Sequence, residues 1–141
     1  MKHFLKVLLM LCTTPVLAQE ASDLWGTWKV QELIVNSPNL SQDEKERLSE
    51  MKASWEQATF TFSRDYHFAF TVGSTNNDAV FGNIKDGYWK YNPSTKIVKI
   101  CDWKDQVALE PVIMIIRVEK SNAEITFYLE ETPVQLKVKK S

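Results

Sequence analysis

Hydrophobic and polar positions change their period twice along this chain, and the changes divide it. Over residues 24–35 apolar side chains recur at alternate positions, with Trp28, Val30 and Ile34 on one face and Leu33 and Val35 on the other. This predicts a first strand, covered on both faces near its end and stopped by Asn36 and Pro38. Leu48, Met51 and Trp55 then follow at spacings of three and four among Glu44, Lys45, Glu46, Arg47, Glu50 and Lys52. One apolar stripe on a charged background predicts an amphipathic helix lying on the rest of the fold. Ser41-Gln42-Asp43-Glu44 marks its start, because Ser can accept from the third helical N–H while Glu reaches back to the Ser N–H.

From Thr59 the period returns to two. Residues 59–62 and 67–72 read as a hairpin with Phe60, Phe62, Phe68, Phe70 and Val72 inward. Further strands are expected within 79–92, most clearly over 87–91, and at 96–103, 112–118, 124–130 and 134–139. Asn92-Pro93-Ser94-Thr95 joins two of them as a turn, with Pro presetting φ at its second position. Two longer polar connections, 73–78 and 104–111, interrupt the series. Eight strands joined mostly at hairpin length predict an all-β fold. The expected form is an eight-stranded antiparallel up-and-down barrel with one helix between its first two strands. A two-sheet sandwich is the alternative, but it needs more long crossings than this chain supplies.

The N-terminus follows a different pattern. Lys2, His3 and Lys6 precede an apolar run over 7–11, and Val16-Leu17-Ala18 ends it with the residues a signal peptidase needs. Residues 1–18 are therefore expected to be a signal peptide and 19–141 a single barrel domain, exported to the periplasm or secreted. The run is too short to span a bilayer. Cys12 is a poor lipidation site, since Leu11 before it is not small. Cleavage removes Lys2 and Lys6 from 17 basic residues against 18 acidic, leaving a mildly acidic domain. It also leaves Cys101 as the one cysteine, so no internal disulfide is expected and packing alone must stabilise the fold. Cys101 lies in an apolar pattern, which predicts a buried, inert thiol.

Function classes narrow by inventory. His67 is the one histidine outside the leader, and with Cys101 it makes neither a zinc site nor a Cys–His pair. No Gly-rich phosphate loop follows a strand. Adjacent carboxylates such as Glu130-Glu131 point to opposite sides of a strand. Catalysis, a cofactor and a metal are not expected, nor are nucleic acid or a stable membrane span.

Gly26-Thr27-Trp28 begins the first strand, behind a leader and ahead of the meander. In this layout the chain resembles the lipocalin-like proteins of the calycin superfamily, in particular the small exported bacterial ones. The resemblance implies that Gly26 and Trp28 form a structural plug at one barrel end. Lipocalins place an Arg late in the chain over that Trp; here the last strand offers Lys137, Lys139 and Lys140, one of which would have to substitute. The helix falls where fatty-acid-binding proteins carry a lid.

A barrel of eight strands is either filled by side chains or holds one small ligand. Phe60, Phe62, Phe68, Phe70, Phe127 and one of Tyr88 or Trp89 compete for the interior. In the ligand-carrying reading, Phe68, Phe70, Trp89 and Phe127 line a site for a small hydrophobic molecule such as a fatty acid, with Met51 and Trp55 as the lid. Arg117 is the head-group candidate. It shares a face with Ile113 and Ile115, and parity alone leaves open which face is interior. Glu32 shares the face of Trp28 and Val30, which makes it a candidate inward carboxylate and a partner for Arg117. In the rival reading the packed barrel, expected as a monomer, binds a protein partner through the rim loops 73–78 and 104–111, with Trp103 as an anchor.

Overall fold

The computed structural model describes residues 20–72, 83–102 and 112–141. The elements run β1 (Gly26–Val35), α1 (Gln42–Trp55), β2 (Thr59–Phe62), β3 (His67–Thr71), β4 (Ile84–Asn92), β5 (Ile97–Asp102), β6 (Val112–Ser121), β7 (Glu124–Leu129) and β8 (Val134–Lys140). Each strand pairs antiparallel with its sequence neighbours, and β1 also pairs with β8, so the sheet closes into an eight-stranded barrel. Closure leaves no sheet edge to be protected. The expected architecture is therefore the observed one, and the sandwich is excluded.

α1 begins as its sequence requires. The Glu44 N–H donates to Ser41 Oγ at 3.2 Å, and the Ser41 N–H donates to the Glu44 carboxylate at 2.8 Å. The chain before β1 departs from expectation. The strand expected from Leu24 begins at Gly26 instead, and Leu24 ends a 3-10 helix, Ala21–Leu24, held by the Glu20 N–H donating to Asp23 Oδ2 at 3.0 Å. This local bond competes with extended backbone and turns Leu24 fully into the core.

The second departure lies inside β1. Val30 pairs with Val138 but Glu32 pairs with Lys137, so one residue is bulged out between them. An inserted residue reverses the facing of everything that follows it. Trp28 and Val30 point inward as expected; beyond the bulge Leu33 is buried, and Glu32 faces solvent.

The interior is aromatic. Phe60 packs at ring-centroid distances of 4.8 Å from Phe70 and 5.3 Å from Phe127. Phe62 lies 5.2 Å from Phe68 and 5.3 Å from Trp89. Such tilted and edge-on pairs suit the ring quadrupole and add about 0.5–1.5 kcal/mol each beyond burial. Cys101 is also fully buried.

Candidate functional site

Three places in the fold bear on function: the barrel interior, the end beneath α1, and the opposite end closed by Trp28. The interior holds Phe68, Phe70, Trp89 and Phe127 together, and Trp89 rather than Tyr88 is the inward member of its pair. Phe60, Phe62, Phe70, Trp89 and Phe127 are each 0% exposed, so no void large enough for one water molecule adjoins their rings. They pack on one another.

Neither polar candidate reaches this interior. Glu32 lies outside because of the β1 bulge, where its carboxylate is 3.6 Å from Lys137 Nζ. Arg117 lies outside because Met114, Ile116 and Val118 take the inward positions of β6. Its guanidinium sits 4.2 Å over the Tyr128 ring, donates through Nε to Glu130 at 2.9 Å, and also meets Glu119. Arg117 and Glu32 are thus surface groups with different partners. The facing of Arg117, which parity left open, is outward, and the candidate interior Glu32–Arg117 pair does not form.

Beneath α1 the expected lid residues do meet the barrel. Trp55 is buried, its ring 5.1 Å from Phe70, and Met51 packs partly buried against the same core. Beside them Leu48, Leu129, Thr132, Pro133 and Val134 complete an apolar groove of about 160 Å³. That is well below the roughly 300–1,000 Å³ of ordinary ligand pockets. The rim loops 73–78 and 104–111, with Trp103, fall outside the described residues.

At the other end Trp28 is buried and its indole N–H donates to the Leu24 carbonyl at 2.9 Å. Lys140 Nζ lies 5.3 Å from the ring centroid on the outer side, and it donates to the Asp23 carbonyl at 3.4 Å. Of the three late lysines, Lys140 is therefore the one over Trp28; its direct pairing with Trp28 on β1 sets this, and the sequence alone carried no signal for it. Gly26 has φ +120°, and a Cβ there would stand 3.0 Å from Lys140 Cε. Glycine at this position is thus favoured by the backbone, and any other residue would also have to displace the end of the Lys140 side chain. Arg64, from the β2–β3 turn, caps the Trp25 ring at 5.0 Å nearby.

Tyr91 is buried, and its hydroxyl meets no hydrogen-bond partner among the described residues. Burial, with Asp23 adding to it, holds its phenol above the ordinary value. On the β2–β3 turn, the exposed Asp65 carboxyl is held below the usual range by hydrogen bonds from His67. Among the described residues no group of three His, Cys, Asp or Glu is placed to hold a metal ion, and no helix is long and apolar enough to cross a membrane.

No family model and no curated protein sequence matches this chain. A solved structure, a DUF4847 family protein from Bacteroides vulgatus ATCC 8482, is similar at 13% identity over 84% of this chain and 95% of that one, with a TM-score of 0.44.

Proposed function

We propose that this protein is an exported, non-catalytic barrel of the lipocalin-like kind that recognises its partner on its outer surface, with the interior serving as scaffold. The observation that carries this is the set of interior rings from which even a water-sized probe is excluded. An eight-stranded barrel has room for either side chains or a ligand, and here the side chains occupy it. The lipocalin-like reading draws support from Gly26 and Trp28 at the strand entry, with Lys140 where that family keeps its late Arg. Export draws support from the leader pattern over residues 1–18.

A fluorescent fatty acid titrated into the protein tests the reading. No saturable uptake up to about 100 µM is expected, a limit that corresponds to binding weaker than about 5 kcal/mol. Phe127→Ala with benzene as the probe is the control that an opened interior is accessible, because an emptied apolar cavity of this kind takes up benzene. Saturable uptake by the unaltered protein, competed by other aliphatic chains, would overturn the packed-interior reading.

The groove beneath α1 favours a second, smaller reading. Its apolar lining and its 160 Å³ suit one ring or a short alkyl end at the barrel mouth, held by Leu48, Met51 and Trp55. Loss of such binding in Met51→Glu, with the fold intact, is the expected sign of it.

A further inference from the structure

Four described turns hold one non-glycine residue each in the left-handed region: Tyr66 at φ 68°, Lys96 at 61°, Asn122 at 56° and Glu131 at 66°. Asn adopts that region at little cost, whereas Tyr, Lys and Glu carry strain that glycine would avoid. Opening any of the first three turns would move two or more strands. Glu131 is different. Its turn, residues 130–133, leads into β8, after which no barrel strand follows. Only there does relief of the strain need the movement of a single strand.

The sequence of this turn also favours an open form. Pro133 biases Thr132 before it toward extended backbone, which suits a connection that runs straight on better than one that doubles back. Few bonds hold the turn closed. The Thr132 N–H donates to the Leu129 carbonyl at 3.2 Å, and Thr132 Oγ1 donates to the same carbonyl at 2.8 Å. Water can replace both once the turn opens. Glu130 keeps its bond from Arg117 Nε at 2.9 Å in either form, because β6 and β7 stay together. The Asn36 N–H, which donates to the Pro133 carbonyl at 2.9 Å, continues the β1–β8 ladder and moves with it.

What β8 buries selects its partner. Val134, Leu136 and Val138 point inward, and the two edges of the strand pair with β1 and β7. The slot that matches it in side chains and register is the one between β1 and β7 of this same sequence. We propose that two copies of this chain exchange β8, the hinge over residues 130–133 running straight so that each barrel is closed by the other's last strand. Exchange remakes every β8 contact between copies, and it relieves two hinges at once. The apolar groove beneath α1 lies beside the hinge, with Thr132, Pro133 and Val134 in its lining. Copies joined through their hinges meet at that end and cover the apolar surface each leaves open alone. The lost freedom of one molecule opposes these gains, which makes the exchanged pair a form of high concentration. The exchange does not depend on what the outer surface recognises.

A disulfide across the seam reads the exchange directly. Lys29 and Lys139 are exposed, face each other on β1 and β8, and make no ion pair among the described residues. Directly opposed antiparallel residues lie about 4.5–5.5 Å apart at Cα, within disulfide reach. The Lys29→Cys, Lys139→Cys double variant is refolded at about 10 µM and at about 1 mM, oxidised, sized by light scattering and then run denatured without reductant. At the lower concentration a monomer with its disulfide inside one chain is expected. At the higher one a dimer is expected whose disulfides join two chains. Glu131→Gly eases the closed turn in both copies and should lower the dimer fraction by about tenfold or more. Lys96→Gly, which eases a turn off the exchange path, should leave that fraction unchanged. No dimer at the higher concentration overturns the proposal. So does a dimer whose disulfides stay within each chain, which would mark contact through another face, or a dimer fraction unmoved by Glu131→Gly.

Discussion

At the scale of single residues, Trp28 joins the closed end of the barrel to its core, since one side chain caps Phe127 at 5.9 Å and anchors the Leu24 turn. Trp28→Ala should cost about 3–5 kcal/mol in denaturant unfolding, the range for a buried aromatic. A cost below about 1 kcal/mol would show that the end closes without it. Gly26→Ala meets both a positive φ and the Lys140 stem, and a loss of about 1–3 kcal/mol is expected. Lys140→Ala in the same chain should recover only the steric part, because the backbone strain persists.

Tyr91 behaves in the opposite sense. Its buried hydroxyl lacks a described partner, so Tyr91→Phe should stabilise the fold by about 1 kcal/mol. The wild-type phenol is raised above 10 in the folded state by burial first and Asp23 second. Its neutral form therefore supports folding below pH 10, and that support is lost as pH rises through the folded value. Alkaline unfolding should move to higher pH in Tyr91→Phe; an unmoved midpoint would contradict the assignment. Asp65 works at the acid end: its lowered carboxyl favours the folded state above the unfolded value of 3.8 and ceases to as pH falls through the folded one. Carbon-detected NMR titration of His67→Ala should find the Asp65 carboxyl raised toward that ordinary value, though not fully, because the N–H of residue 67 still donates to it.

At the scale of elements, strand parity was legible and its interruption was not. The inward rings of β2, β3 and β7 follow from alternation, as does the grouping of Arg117 with Ile113 and Ile115. Glu32 was misplaced because the bulge after Val30 is set by the pairing of β1 with β8, and no glycine or proline marks it in the sequence. The helix was legible from Ser41 and Glu44, whose reciprocal bonds are local. The exposed placement of Tyr66 was not legible, because its ring rests on Trp89 and Tyr88 arriving from β4. Since Arg117 and Glu32 are surface groups, Arg117→Met and Glu32→Gln should each change stability by about 1 kcal/mol or less. A larger loss in thermal unfolding would place either one in a tighter environment than its exposure indicates.

At the scale of the whole molecule, the sheet closes on itself around packed aromatic rings, and the proposed recognition lies on the outside, where turns and barrel ends present side chains. Emptying the interior tests that division of labour. Phe127→Ala should cost about 3–5 kcal/mol and create a cavity, while leaving the β2–β3 turn and its exposed tyrosine unchanged. Benzene uptake would then appear in this variant alone. Concurrent loss of both stability and outer-surface binding would mean that the two are coupled through the core.

The β1–β8 seam has a further consequence, for the order in which the fold assembles. The other strand pairings join consecutive strands, but Trp28 must find Lys140 across nearly the whole chain. Loop-closure entropy makes such a contact late, after the hairpins have formed. Leu33 and Leu136, which face each other across the seam, should then contribute little to the folding transition state. Leu136→Ala is expected to quicken unfolding far more than it slows refolding, whereas Phe68→Ala, within an early hairpin, should mainly slow refolding. The strand that opens the barrel in sequence would be the one that completes it in time.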